Sequence, residues 1–363
     1  MTSSAAQWRP KIVLVAGFLG AGKTSLILSA AVQLERSGVR CAVVLNDQGE
    51  ELVDTLHVRQ REIVSSEVTG GCFCCKFSDF VSVIEQLRAV APEVIFAEPV
   101  GSCVDIAATV IRPLREEFEL CRLAPITVLV DPRRAASVLS GGADPNIEFL
   151  LRKQLEEADL VCTSKADLYP HTECALEMEA RPLSAKTGFG VRQWLDDVLG
   201  GRSEAGVKAL DVDYGQYAQA EAALAWLNLS VVFAPERAIS PAEVIGPLFD
   251  HLDKELTAAG IAIAHLKVMD RSPAGWVKAS ICSNGEEPDA EGDLDASPAN
   301  SHEILLNLRA IGAPHQVREI VKKRMESLEG RLLDMHLGCF SPAPPRPERR
   351  IPMRQPLGSP ANK

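Results

Sequence analysis

A chain of 363 residues is longer than one ordinary compact domain and predicts two. At 46% hydrophobic and 24% charged, it has the composition of a globular protein with a sizeable core. Its 38 basic and 49 acidic side chains leave a formal charge of −11, which argues against broad nucleic-acid binding, since that needs a basic face to neutralise phosphates.

Met1–Pro10 is short and polar, without the apolar stretch of a secretory signal. No run reaches the ~20 uncharged apolar residues of a membrane helix, so no membrane partner is expected. Ten cysteines in such a chain predict reduced thiols in a cytoplasmic compartment. Cys41 and Cys162 lie in or beside apolar runs and read as small core residues.

From Lys11 to about Gly200, short β-branched runs alternate with helix-period stretches. Ile12–Ala16, Cys41–Leu45, Val94–Ala97, Ile126–Val130 and Leu160–Thr163 suit strands buried on both faces of a mostly parallel sheet. Thr24–Ser37, Asp79–Val90 and Phe149–Ala158 carry helical periodicity. This alternation predicts a three-layer α/β domain over 11–200, then a linker at 201–221.

A smaller α+β domain is expected over 222–340. Its strands are Leu224–Phe233, Ile261–Val268, Gly275–Cys282 and Glu303–Leu308, and its helices Pro241–Ala259, capped by Ser240, and Pro314–Leu328. Asn284–Asn300 reads as a solvated, mobile hairpin extension. The Pro- and Arg-rich tail, 341–363, reads as disordered.

The first strand runs into Gly17-Phe18-Leu19-Gly20-Ala21-Gly22-Lys23-Thr24 and then, from Ser25, a helix. This is G-x-x-x-x-G-K-[ST] in the strand–loop–helix setting that a phosphate-binding loop requires. Gly17, Gly20 and Gly22 let backbone N–H groups curl around phosphate oxygens, and the helix dipole assists. Lys23 would neutralise the β- and γ-phosphates, and Thr24 would offer a hydroxyl to Mg²⁺.

Val94–Ala97 delivers Glu98, in Glu98-Pro-Val-Gly101. Glu98 could hold a water of the Mg²⁺ shell, and the Gly101 N–H could sense the γ-phosphate; an ordinary strand-end acid is the plain alternative. After Leu160–Thr163 comes Ser164-Lys165-Ala166-Asp167, a variant of N-K-x-D whose Asp167 accepts from the guanine N1–H and amine. Ser184-Ala185-Lys186 follows, as the loop that meets the guanine O6. In this order they favour GTP over ATP, because adenine would leave the buried carboxylate unpaired. A P-loop kinase is a competing reading, with no use for Asp167.

Gly70-Gly71-Cys72-Phe73-Cys74-Cys75 puts three cysteines within four residues beside a turn-permitting glycine pair. Clustered thiolates are soft ligands for Zn²⁺, Co²⁺ or Cu⁺. The set is incomplete, and Asp47, Glu50, water or a partner could supply the fourth ligand. A packed thiol cluster and a redox pair are the alternatives. Asn46–Glu50 falls where a switch I segment would lie, or is a capped polar turn. His57, His171, His251, His265, His302, His315 and His336 form no metal-spaced pair.

Together these residues resemble the CobW-like branch of the SIMIBI-class GTPases, relatives of HypB and UreG. That family's G-F-L-G-x-G-K-T, N-E-x-G-E, G-C-x-C-C, E-x-x-G and N-K-x-D are matched in order by Gly17–Thr24, Asn46–Glu50, Gly71–Cys75, Glu98–Gly101 and Ser164–Asp167. The resemblance covers about residues 11–200. Asp47 stands where the family usually has Glu, and Ser164 where it has Asn.

What the resemblance implies is a GTP-hydrolysing metallochaperone. GTP·Mg²⁺ would order the switches, Cys72, Cys74 and Cys75 would bind Zn²⁺ or Co²⁺, and hydrolysis would release the ion to a client protein. A nucleotide-dependent homodimer is compatible with it. The alternative is a GTP-gated assembly factor for a corrinoid or other cofactor-dependent enzyme.

Overall fold

The structure, a computed structural model, describes residues 8–49, 53–61, 63–118, 121–169, 176, 178–201, 204–208 and 210–352. Two sheets organise the chain. The first part runs β1 (Lys11–Ala16), α1 (Lys23–Arg36), β2 (Cys41–Asn46), α2 (Val53–Gln60), β3 (Ser65–Val68), α3 (Phe77–Gln86) and β4 (Val94–Glu98). A π-helical turn, Ala107–Ile111, leads into α4 (Arg112–Glu117), followed by β5 (Arg122–Leu123) and β6 (Thr127–Val130). Next come α5 (Pro132–Leu139), α6 (Pro145–Glu157), β7 (Leu160–Thr163), β8 (Arg181–Pro182) and α7 (Val191–Leu199).

The strands pair in the order β3-β2-β4-β1-β6-β7-β8, with β5 beside the start of β1, and every pairing is parallel. Every residue of β1, β2, β4 and β6 is buried, because helices cover both faces. Ile27 and Leu34 of α1 and Trp194 and Val198 of α7 pack on one side. Phe80 and Ile84 of α3 and Leu150 and Leu151 of α6 pack on the other. This is the three-layer arrangement that the apolar runs predict.

The second part follows with α8 (Tyr214–Ala222), β9 (Leu224–Pro235), α9 (Pro241–Ala258), β10 (Ala262–Ser272) and β11 (Gly275–Ile281). It ends with β12 (Asp289–Gly292), β13 (His302–Ile311), α10 (Pro314–Glu326) and β14 (Gly330–Phe340). Its antiparallel sheet has the order β12-β11-β10-β13-β9-β14. Leu248, Leu252 and Leu256 of α9 and Val317 and Val321 of α10 cover one face. Ser240 and Glu243 form a reciprocal capping box at the start of α9, a device that contributes about 1 kcal/mol. From this part Leu224, Trp226 and Ala264 join the core of the parallel-sheet unit.

Several segments differ from the sequence expectation, among them β14, a strand not expected after the last helix. Part of the expected linker is α8, whose Tyr217 and Ala220 enter that core. The Asn284–Asn300 loop is not a free extension. It contains β12, its Glu286 accepts the Cys282 N–H at 2.7 Å, and its Asp289 lies 3.4 Å from Lys186.

The tail beyond Ser341 reads as disordered, yet Ser341–Pro352 is docked. The Glu348 N–H donates to the Cys74 carbonyl at 2.9 Å, and the Ile351 N–H to the Ala108 carbonyl at 2.8 Å. Arg350 meets Asp105 at 2.7 Å. A proline-rich extended segment has little backbone entropy to lose on docking, which composition alone does not reveal. Residues 353–363 lie outside the described residues. Among the described residues no helix is long and apolar enough to cross a membrane.

Candidate functional site

The loop between β1 and α1 has the geometry its glycines demand. Gly17 has φ +137°, and a Cβ there would fall 2.2 Å from the Leu129 carbonyl oxygen. Gly20 has φ +78°, and a Cβ there would meet the Cys282 sulfur at 2.4 Å. Neither position can carry a side chain. Gly22 takes the left-handed conformation that opens α1, and Ala21 is buried behind the loop.

Lys23 and Thr24, in the first turn of α1, converge on Glu98 at the end of β4. The Thr24 hydroxyl donates to Glu98 Oε2 at 2.9 Å, and Lys23 Nζ lies 3.7 Å from Oε1. All three are buried. Burial lowers the Lys23 pKa against the pull of Glu98, and burial raises that of Glu98 against the pull of Lys23. Two strained ionisable groups thus face each other where a triphosphate and Mg²⁺ would separate and satisfy them. Gly101 packs on the loop so closely that a Cβ would lie 3.0 Å from the Leu19 nitrogen.

The other end of the cleft holds Ser164, Lys165 and Asp167, with Ala185 and Lys186 opposite. Ser164 is buried with its N–H on the Val130 carbonyl, whereas Asp167 is exposed toward the cleft. Ser184 is buried, its hydroxyl accepting the Thr187 N–H at 3.1 Å and fixing the loop of Ala185 and Lys186. Ser25 also lines the cleft. Lys165 adopts φ +57° and pairs with Asp131 at 2.8 Å. Asp131, which the sequence reading missed, caps α5 by accepting from Arg133 and Arg134. Although burial pulls its pKa upward, Lys165 holds the carboxyl below the usual range.

The cleft measures about 1110 Å³ and is shared between the two parts of the chain. The second sheet contributes His265, Lys267, Lys278, Cys282 and Arg309. The Cys282 thiol donates to the Gly20 carbonyl at 3.5 Å, and Lys267 pairs with Asp54 of α2. Burial, then Lys267, Lys23, Lys165 and Arg134, push the His265 pKa well below its ordinary value, leaving a neutral imidazole among cations. Basic and acidic side chains both line this cleft, with Lys23, Lys267, Lys278 and Arg309 facing Glu98, Asp54, Glu291 and Asp47. No local motif marks these residues; they become neighbours only through the fold.

The cysteine turn lies at the ends of β2 and β3. Asn46 fixes it: its amide nitrogen donates to the Val68 and Gly71 carbonyls at 2.8 and 2.7 Å, and its oxygen accepts the Phe73 N–H at 2.8 Å. The sulfurs of Cys72, Cys74 and Cys75 lie within 4.8 Å of one another, with Cys72 and Cys74 at 2.8 Å and Cys74 and Cys75 at 3.7 Å. Two thiolates bound to one tetrahedral zinc lie about 3.8 Å apart, so the donor set fits after a small opening. Hydrogen bonds from the Cys103, Cys74 and Cys75 thiols hold the Cys72 pKa well below the ordinary thiol value.

Cys72 and Cys74 are buried and Cys75 half-buried. The docked tail closes over the turn, with the Arg346 N–H donating to Cys75 Sγ at 3.1 Å. Asp47 is not brought to the thiols. Both its oxygens are held by Arg309 of β13, at 2.9 and 3.1 Å, so its expected place in the ligand set does not fit this geometry. Glu50 and His171 lie outside the described residues. Cys41 and Cys162 are buried in the core, and burial pushes both thiols up to about 12.

Residues 11–189 match the family described as CobW/HypB/UreG, nucleotide-binding domain. The chain is 30% identical over 190 residues to a zinc chaperone CobW of Pseudomonas aeruginosa, an alignment covering 43% of this chain and 48% of that protein. It is 38% identical over 180 residues to a zinc chaperone YjiA of Escherichia coli, covering 47% and 54%. The chain thus spans about half the length of these curated relatives. The Zn(II)-bound YjiA GTPase crystal structure from E. coli aligns at 16% identity and a TM-score of 0.37, covering 88% of this chain and 99% of that one.

Proposed function

We propose that this chain, whose residues 11–189 are a nucleotide-binding domain of the CobW/HypB/UreG kind, is a GTP-hydrolysing metallochaperone. It binds Zn²⁺ or Co²⁺ at Cys72, Cys74 and Cys75 and hands the ion to a client protein. One observation carries the reading: a single side chain, Asn46 at the end of β2, hydrogen-bonds to both the β3 end and the cysteine turn. The segment that would sense nucleotide is thereby the segment that shapes the thiol site. The names of the relatives, zinc chaperones, support the choice of cargo.

The chain's own groups would act as follows. Backbone N–H groups of Gly20–Thr24 and the Lys23 ammonium hold the β- and γ-phosphates. Thr24 and Glu98, already hydrogen-bonded to each other, are the residues that would hold Mg²⁺, which supplies charge neutralisation between those phosphates. Lys23 exchanges its contact with Glu98 for phosphate oxygens, and the Gly101 N–H would meet the γ-phosphate. Asp167 accepts the guanine donors, with Lys165 and the Ser184–Lys186 loop flanking the ring. A ligand that prefers one arrangement of these segments must shift metal affinity, and reciprocally.

The test is a zinc titration of apo-protein against a chromophoric chelator, comparing wild type with a Cys74→Ser, Cys75→Ser double variant. High affinity that depends on both cysteines is expected. Weak binding, or binding equal in the double variant, overturns the cargo assignment and leaves a GTPase acting through its second sheet.

A further inference from the structure

Ser341–Pro352 lies across the cysteine turn and is held as an extended peptide ligand would be. The Arg346 N–H donates to Cys75 Sγ at 3.1 Å, and the Glu348 N–H to the Cys74 carbonyl at 2.9 Å. Farther along, both backbone groups of Ile351 are engaged. Its N–H donates to the Ala108 carbonyl at 2.8 Å, and its carbonyl accepts from Arg112 at 3.1 Å. Pro342, Pro344, Pro345, Pro347 and Pro352 keep the segment extended between these contacts.

Two side chains match the groove by charge. The Glu348 carboxylate accepts the Ser78 N–H at 3.0 Å and the Ser78 hydroxyl at 2.6 Å, in the first turn of α3, where an anion is favoured. Arg350 meets Asp105 at 2.7 Å. Asp105 is 1% exposed, and among the described residues Arg350 is the one cation paired with it. Lifting the tail leaves that carboxylate without its counter-charge, so whatever takes the tail's place must bring a cation back.

Cys75 is the least buried thiol of the turn, and it is the one the tail covers. A recipient reaching an ion held there meets the tail first. We propose that the groove beneath the tail is the docking site for a metal recipient, and that the tail is a built-in competitor for it. The recipient segment that fits is an extended, proline-punctuated peptide carrying a carboxylate and, two residues on, an arginine. Its arrival would uncover Cys75, so that a donor of the recipient bonds to the ion as the Cys75 bond breaks, with no change of oxidation state. A tethered competitor acts at an effective concentration on the order of millimolar, so even a weakly binding tail keeps the groove closed. The groove stands on these contacts alone, while its part in transfer rests on the metal-binding reading of the cysteine turn.

The probe is a fluorescent synthetic peptide of residues 341–352, offered to the full chain in wild type and in a Glu348→Ala, Arg350→Ala double variant whose own tail is loosened. The variant should bind the peptide, and wild type should bind it at least about tenfold more weakly. A peptide carrying Glu348→Lys and Arg350→Glu should bind neither. A chelator should take zinc from the loaded variant faster than from wild type, on the order of tenfold for the loss of a charge-assisted contact. Adding the peptide should restore the slow rate, which a merely damaged fold would not allow, and unchanged GTP affinity shows that the variant has folded. A variant that does not bind the peptide, or binds the charge-reversed peptide as well, overturns the docking site. Selective peptide binding with zinc release unaffected overturns its role in transfer while the cysteine turn stands as a metal site. A wild type that binds no zinc removes the metal reading itself, and the peptide measurement still decides the groove.

Discussion

Arg309 grips both oxygens of Asp47, reaching from β13 of the second sheet to the residue that follows β2 of the first. The guanidinium is nearly buried, lies 4.2 Å from the Trp226 ring and also donates to the Leu227 carbonyl and Asn228. The nucleotide-facing end of the parallel sheet is therefore tied to the second domain by a charge pair rather than left open.

Replacing Asp47 with alanine strips a largely buried guanidinium of its counter-charge while its other bonds remain. A loss of about 2 kcal/mol in unfolding free energy is expected, below the full cost of orphaning a buried charge. Chemical denaturation measures it. Zinc affinity should remain within about twofold of wild type, since the pair with Arg309 and not the metal occupies this carboxylate. A collapse of zinc binding in a folded Asp47→Asn protein would restore Asp47 to the ligand set.

Base selectivity rests on Asp167. Asp167→Asn removes a charged acceptor of two guanine donors, and GTP affinity should fall at least about tenfold. The substituted amide can donate to the O2 of xanthine, so xanthosine triphosphate should bind better than GTP. Competition between the two nucleotides for a fluorescent analogue reads the outcome, and unchanged preference would move guanine recognition elsewhere.

Stability should fall as pH rises toward 8. Burial raises the pKa of Glu157 to about 8, against hydrogen bonds from the backbone around Ala107 and with the nearby Asp105 adding to the rise. A carboxyl whose folded pKa exceeds its unfolded value binds more protons when folded. Its contribution is complete below the ordinary value of 4.5 and is lost as pH climbs through 8, at about 1.4 kcal/mol per unit. Glu221, raised to about 7 by burial, acts in the same direction. Denaturation midpoints measured from pH 5 to 8 should decline in wild type and decline less in Glu157→Gln; parallel curves would contradict the assignment.

The phosphate loop, its two flanking elements and the buried strands are legible in the sequence because each is a contiguous signal. Gly17–Thr24 carries its own geometry, and β1, β2, β4 and β6 are unbroken apolar runs because both sheet faces are covered. What is not legible is what tertiary pairing creates. β14 alternates half-buried and exposed positions on a sheet edge, so its apolar residues form no run. Arg309, Lys267 and Cys282 are unremarkable in sequence and acquire meaning only when the second sheet closes the cleft. Cys103 is a solitary thiol until the fold buries it in the same core as Cys72. Tail docking escaped for the same reason, since a Pro- and Arg-rich stretch reads alike whether free or held.

The docked tail predicts a kinetic effect. Truncation after Phe340 removes the Arg346 N–H from Cys75 and the Glu348 N–H from the Cys74 carbonyl. Thiol modification of Cys75 and removal of bound zinc by a chelator should both accelerate, with GTP affinity unchanged. Equal rates in full-length and truncated chains would mean that the tail does not cover the site in solution.

The central claim is that nucleotide and metal sites are coupled through Asn46. Its most direct test measures zinc affinity with and without Mg²⁺ and a non-hydrolysable GTP analogue, and then affinity for that analogue with and without zinc. The account predicts that both affinities change by the same factor, on the order of tenfold. Zinc affinity indifferent to nucleotide, with the cysteines intact and the analogue bound, would contradict it.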